Sequence, residues 1–571
     1  MAAIIGIVLG LLAAVYGSTA VRPTSGHPVV TVKNGSYEGL YLPSFEQDIF
    51  LGIPYAQDTG GQNRFRIPQS LNETWTGTRA AKAYGNGCPD YYLSAEELHG
   101  MSEDCLSINI VRPAGLSGGY GADTSLLPVM LWIHGGAYQY GGSGQSVYNL
   151  TYLVQKSVEI GLPVIGASIN YRKGGWGNMY SVEIQGSGNT NLALRDMRKA
   201  LAWVQENIGS FGGDASSVTI WGQSAGSFAV GQLLMSHGGR TDGLFHRSIQ
   251  ESGSATTAWC NGSDWYQPIY DKIVDQVNCS LVPDTLECLR TVDYETLYPF
   301  LNSSAVPGPG FYPTVDGDVL PNYPSELLRA GRFAHIPHIY GTVSDEGTDN
   351  APLGINTDED LRNFLLYGTG FRFPEKTIDH ILELYPDDPT QGIPLNTGSE
   401  RFADNGWQYK RVAAIVGDVF YHGPRRYDAQ NYAPFSPTYV YRFNTRPWQS
   451  MLANTTAAGN PFNGTGGLAP ASKGVEHFSE VPFVFANPTM LGPWPEYHEL
   501  SNQVSNRWIR FAHTGNPNGP DSLRWPRYDE GKDGLNLVLQ TETQGGTYVE
   551  EDTYRLAGRE YLTQWARRRH V

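Results

Sequence analysis

Positive charge is scarce in this chain. Its 571 residues carry 40 Lys and Arg against 56 Asp and Glu, a formal net charge of −16. That balance argues against nucleic acid or an anionic membrane surface as a partner, since both are polyanions. Cysteine is scarce too: Cys88, Cys105, Cys260, Cys279 and Cys288 are all there are. None stands in a C-x-x-C pair, so zinc and thioredoxin-like readings fail. His335 and His338 have a poor spacing for metal, and no motif calls for a metal or a cofactor. Beyond the N-terminus no apolar run is long enough to cross a bilayer, which excludes integral membrane association. Repeats, low-complexity tracts and convincing linkers are lacking as well.

What is present begins with an apolar run, Ala2 to Val15, followed by Gly17-Ser18-Thr19-Ala20. The run is too short to span a membrane, and Ser18 and Ala20 suit signal peptidase. A secretory signal over 1–20 is expected, although no Lys or Arg precedes the run. N-x-S/T sequons at Asn34, Asn72, Asn149, Asn261, Asn278, Asn302, Asn454 and Asn463 point the same way. In an oxidising compartment Cys88 pairs naturally with Cys105, and Cys279 with Cys288, which leaves Cys260 over.

With 40% hydrophobic and 12% aromatic residues the chain can bury a large core. Strand-like runs (Val29 to Val32, Leu106 to Val111, Pro128 to Ile133, Leu162 to Arg172, Phe245 to Gln250, Ile336 to Tyr340, Thr438 to Phe443) alternate early on with helical stretches. Tyr148 to Ile160 is one such stretch. Leu192 to Ile208 is another, with apolar positions spaced by two to four residues. The pattern predicts an α/β sheet covered on both faces. Thr256 to Arg332 and Thr357 to Asp428 read as helical cap or wall insertions at one edge. The expectation is one α/β domain over 21–571.

Everything centres on Ser217-Val218-Thr219-Ile220-Trp221-Gly222-Gln223-Ser224-Ala225-Gly226. A β-branched and aromatic strand runs into G-x-S-x-G, and helical residues follow from Phe228 to Met235. In that context the motif is a nucleophile elbow, whose glycines let strand and helix approach behind a strained serine. Upstream, His134-Gly135-Gly136-Ala137 follows a buried strand. Its small residues would let a carbonyl oxygen reach the main chain. The expected oxyanion donors are the N–H groups of Gly136, Ala137 and Ala225, each worth about 10²- to 10³-fold in rate.

A base must follow Ser224 in such an arrangement. Of the 13 histidines, His477 stands out, in a loop feeding the apolar stretch Val481 to Phe485. His422 and His513 are runners-up. His134 is expected to pack beside its loop, and His335 and His338 to be core or edge residues. For the acid, Ser344-Asp345-Glu346-Gly347 offers two carboxylates at a strand end, and pattern alone does not choose between them.

Together the elbow, Asp345-Glu346-Gly347, the Gly135-Gly136 loop and Ser102-Glu103-Asp104-Cys105-Leu106 resemble the type-B carboxylesterase/lipase family. That family includes cholinesterases and secreted fungal lipases. Asn207-Ile208, Phe211-Gly212-Gly213-Asp214, Gly52-Ile53-Pro54-Tyr55-Ala56 and Arg64-Phe65 extend the match over nearly the whole mature chain. The resemblance implies an α/β-hydrolase fold with a mixed central sheet. It implies Ser224 as nucleophile, Glu346 as acid and His477 as base, supports both disulfides, and implies an Arg64–Glu103 ion pair beside the first.

Two departures concern the site. Gln223 replaces a frequent Glu before the nucleophile, removing a negative charge, and Ala137 replaces a frequent Gly. A third concerns the disulfide loop, residues 89–104, which is short and acidic (Asp90, Glu96, Glu97, Glu103, Asp104). Fungal lipases of the family carry a long amphipathic flap there. The expectation is therefore a secreted serine carboxylesterase acting on small, soluble short-acyl esters. A lipase or sterol esterase is the alternative, and a silent adhesion module a remote one.

Overall fold

The computed structural model describes residues 27–116, 125–258, 260–302, 306, 310–368, 371–448, 468–520 and 522–568. The expected signal segment, Asn454 and Asn463 lie outside them.

Strands β1 (Val29–Val32) and β2 (Gly35–Glu38) form a hairpin, and β3 (Leu40–Leu42) pairs antiparallel with β4 (Gln47–Pro54). Strand β5 (Thr78–Ala80) adds to β2 and completes a small three-stranded sheet. The main sheet continues with β6 (Ser107–Pro113), β7 (Leu127–Ile133), β8 (Ile165–Ile169), β9 (Gly213–Gln223) and β10 (Arg247–Glu251). It ends with β11 (His338–Val343), β12 (Thr438–Phe443), β13 (Leu535–Leu539) and β14 (Tyr548–Glu551). Its eleven strands run β14-β13-β12-β11-β10-β9-β7-β8-β6-β4-β3. From β8 to β13 neighbours are parallel, and both edges are antiparallel. The sheet is thus mixed, as expected.

Period-two alternation splits the core in two. On β7, Val129, Leu131 and Ile133 face the helices Leu192–Asn207 and Ala225–Met235, while Met130 and Trp132 face the helices Leu150–Glu159 and Pro495–Thr514. Parallel strands buried on both faces read as unbroken apolar runs, which is why β7 is legible in the sequence. Separate clusters bury the insertions. One gathers around Tyr266, Ile273 and Leu289, the other around Leu361, Ile378 and Val412.

Both expected disulfides are present, and Cys260 is free and buried. Arg64 holds Glu103 through two parallel hydrogen bonds of 2.7 Å. Within the disulfide loop the Asp90 carboxylate is fully buried against Lys173 at 2.7 Å.

The late part of the sheet is tied to the C-terminal helix by a buried ion cluster. Asp552 accepts from Arg425 at 2.7 and 2.8 Å, from Arg559 at 2.8 Å and from Tyr528 at 2.9 Å. Burial alone would raise its pKa, but the two guanidinium groups more than offset that and hold it well below the carboxylate range. Removing one partner of a buried pair leaves uncompensated charge. Asp552→Asn should therefore destabilise the fold by about 3–5 kcal/mol, read as a lower urea midpoint.

Candidate active site

Strand β9 ends at Gln223, and Ser224 takes φ 56° and ψ −124° before the helix Ala225–Met235 begins. Positive φ costs a non-glycine residue about 1–3 kcal/mol, so the surroundings must enforce it. They do. A Cβ on Gly222 would sit 2.6 Å from the Ile133 carbonyl oxygen and 2.7 Å from the Gly226 backbone. One on Gly226 would strike the same Ile133 oxygen. The Ser224 N–H donates to the Glu251 carbonyl on β10 at 2.9 Å. Ser224 stays partly exposed while its neighbours on both sides are buried.

His477 arrives from the loop before the short helix Val481–Val484, and Glu346 from the turn after β11. The His477 Nδ1 lies 2.6 Å from Glu346 Oε2, and the Val343 N–H donates to Glu346 Oε1 at 3.0 Å. A carboxylate only accepts, so Nδ1 carries the proton and Nε2 is bare in the neutral ring. Burial works against the imidazolium, but the Glu346 carboxylate outweighs it, so the His477 pKa is raised. The Tyr421 ring covers His477, with centroids 4.8 Å apart.

Asp345, the acid that pattern could not rank against Glu346, points elsewhere. Its carboxylate accepts from the N–H groups of Val475 and Leu395, both at 2.8 Å. Its own N–H donates to the Val475 carbonyl at 3.1 Å. It therefore clamps the loop that carries His477. Burial pushes its pKa up to about 6. The other histidines weighed in the sequence have partners of their own. His134 donates to the Gly135 carbonyl and stacks on Tyr171. His338 meets Ser248 Oγ at 2.6 Å, His422 meets Thr342 Oγ1 at 3.1 Å, and His513 donates to the Pro163 carbonyl at 3.1 Å. His335 stacks on Phe435.

The loop after β7 lies against the elbow: a Cβ on Gly135 would come within 3.1 Å of Ser224 Cβ. Gly136, Ala137 and Tyr138 have φ of 103°, 53° and 58°. The N–H groups of Gly136, Ala137 and Ala225 have no hydrogen-bond partner among the described residues. Side-chain bonds to neighbouring elements help hold the loop in this shape. Tyr138 donates to Gln232 at 2.6 Å, Gln139 to the Phe311 carbonyl at 2.7 Å, and Tyr171 to the His134 carbonyl at 2.8 Å.

Sequence reasoning missed what lies behind His477. Glu480 accepts from Ser252 Oγ at 3.1 Å, and Glu251 from Trp508 Nε1 at 2.7 Å. The remaining oxygen of each is buried without a partner among the described residues. Glu251 is pushed well above the carboxylate range by burial and by Glu480. Burial and Glu346 push Glu480 up to about 7. Unfolded, Glu480 titrates near 4.5, so the folded state binds its proton more tightly. Stability is then fully present at low pH and declines as pH rises from about 4.5 to about 7. Melting temperatures across that window should decline less in Glu480→Gln than in the wild type.

The carboxylesterase family model matches residues 26–556. Lipase 4 of Diutina rugosa is 31% identical, covering 97% of this chain and 98% of its own. Secreted lipase 1 of Botryotinia fuckeliana is 32% identical, covering 94% and 92%. The crystal structure of Aspergillus niger EstA superposes with a TM-score of 0.77 at 26% identity, covering 96% of this chain and 99% of that one. With its mixed sheet and its helices on both faces, the chain has the α/β-hydrolase fold. It belongs to the carboxylesterase family and is a carboxylic ester hydrolase.

Proposed function

We propose that residues 21–571 form one secreted catalytic unit that hydrolyses soluble short-acyl esters through an acyl-serine intermediate. Ser224 is the nucleophile, His477 the base and Glu346 its orienting acid. Ser224 attacks the ester carbonyl as His477 Nε2 takes its proton, and the oxyanion forms against the N–H groups of Gly136, Ala137 and Ala225. The imidazolium, held by Glu346, protonates the leaving alcohol. In the second half His477 activates water, which releases the acid and restores Ser224. Main-chain donors already lacking partners need no reorganisation when charge develops, which supports their role.

The Cys88–Cys105 loop carries the preference for small esters. Its Asp90 carboxylate accepts from Lys173, from the Tyr92 and Leu93 N–H groups, and from the Gly141 N–H at 2.8 Å. Lys173 also donates to the Gly141 carbonyl. Tyr91 donates to the Tyr298 carbonyl at 2.7 Å, Tyr298 donates to the Asp90 carbonyl, and His99 to that of Gly144 at 2.9 Å. A loop with a disulfide at its ends and a buried ion pair inside is a fixed rim. A lid that swings open at an oil surface needs a low-stability segment, which this is not. The alternative, a lipase on long-chain esters, is favoured by the names of the two relatives.

Secretion is supported by the leader-like N-terminus, the two disulfides and the sequons. Asn72, Asn278 and Asn302 are exposed, and Asn34, Asn149 and Asn261 partly so. All six are proposed acceptors, together with Asn454 and Asn463.

Two measurements test this reading. Ser224→Ala should lower kcat by about 10⁶ with the fold intact; near-normal esterase activity would refute the nucleophile. An acyl series of one chromogenic ester, acetyl to palmitoyl, should show kcat/KM greatest for short acyl groups and no rate jump above the solubility limit. A jump on emulsified palmitate would favour the lipase.

A further inference from the structure

The residue before the nucleophile touches the base. The Gln223 side-chain nitrogen lies 3.0 Å from His477 Nε2, and both groups are buried. With Nδ1 bonded to Glu346 at 2.6 Å, Nε2 of the neutral ring is a bare lone pair, and the Gln223 amide is the donor to it. Among the described residues Ser224 Oγ makes no hydrogen bond to His477. The atom that must receive the serine proton is thus occupied by an amide.

We propose that Gln223 is a positioning residue that holds His477 in its neutral form and competes with Ser224 for Nε2 until substrate is bound. This rests on the assignment of Ser224, His477 and Glu346 above. The contact exists only while Nε2 is unprotonated. Once Nε2 carries a proton, an amide N–H faces an N–H, and the side chain must turn its oxygen in or move away. Gln223 therefore opposes the acids around it. Glu346 lies in the turn after β11 and Asp349 at the end of that turn. Glu480 follows His477 in its own loop, Glu251 lies behind at the end of β10, and Tyr421 covers the ring. Glu346, Glu480 and Asp349 favour the imidazolium when ionised. A donor on Nε2 is the counterweight that keeps the base available at lower pH. A glutamate at the same place would join the other acids instead.

The acid limb of the kcat/KM pH profile reads this directly, because it reports the free enzyme's base. The full-length wild type, Gln223→Met and Gln223→Glu are compared with one soluble acetyl ester, and melting temperatures verify folding. Methionine keeps the volume and removes the donor, so the limb should move up by about 0.5–1 pH unit, the worth of one hydrogen bond. Gln223→Glu should move it further in the same direction. A residue that merely fills space would leave the limb of Gln223→Met where it is. Coincident limbs for the wild type and Gln223→Met, or a limb that moves down, overturn the proposal. Should Gln223→Met not fold, a limb in Gln223→Glu at or below the wild-type position overturns it alone. Labelling of Ser224 by an organophosphonate in each variant separates the two readings. Coincident limbs with Ser224 labelled defeat Gln223 and spare the triad; an unlabelled wild-type Ser224 defeats both.

Discussion

The close approach of two backbones at the elbow is the constraint on which the site depends. Gly222, Gly226 and the Ile133 carbonyl pack so tightly that no side chain fits between them. That contact forces Ser224 into positive φ and lifts it out of an otherwise buried segment. It also brings the end of β7 against the end of β9. The loop that leaves β7 can then set its N–H groups beside the serine. The proposed nucleophile and its proposed oxyanion donors share one origin in backbone sterics.

The rest of the site is assembled from strand ends. In a parallel sheet all the carboxyl ends point to one side, and ligand sites form there. Gln223 and Glu251 close their strands, Glu346 sits just beyond β11, and the Asp345 clamp draws in the His477 loop. The electrostatics follow from that crowding. Several carboxyl groups share a buried volume around one imidazole, and not all of them can ionise together. The buried Trp508 and Ser252 bonds satisfy one oxygen each on Glu251 and Glu480, and the second has no partner among the described residues. Gln223 is the neutral polar group in this company, and it is the one that meets Nε2.

The sequence was most legible where one physical requirement dominates. Strand β12 falls on Thr438 to Phe443 as read, because Tyr, Val and Phe at strand spacing mark a buried strand even with Arg442 among them. The elbow is legible because its glycines have a steric reason. Strands β13 and β14 were not read: they are short, and Tyr548 to Glu551 is a largely exposed edge. Choosing Glu346 over Asp345 needed a resemblance, since adjacent carboxylates diverge only in three dimensions. The burial of Asp90 has no local signal because its partner, Lys173, is distant in sequence. The Glu251–Glu480 neighbourhood and the Gln223–His477 contact are likewise long-range pairings without a local signal. The carboxylesterase match spans residues 26–556 and fixes the reaction class. It leaves the acyl preference to these local departures.

The central claim is that Ser224 is the covalent nucleophile of an otherwise conventional acyl-transfer site. Titration of the purified enzyme with a chromogenic phosphonate ester, followed by peptide mass spectrometry, tests it directly. The account predicts a burst of one leaving group per chain, complete loss of esterase activity, and the added mass on the peptide containing Ser224. A burst absent from active enzyme, or an adduct on another residue with Ser224 unmodified, would contradict it.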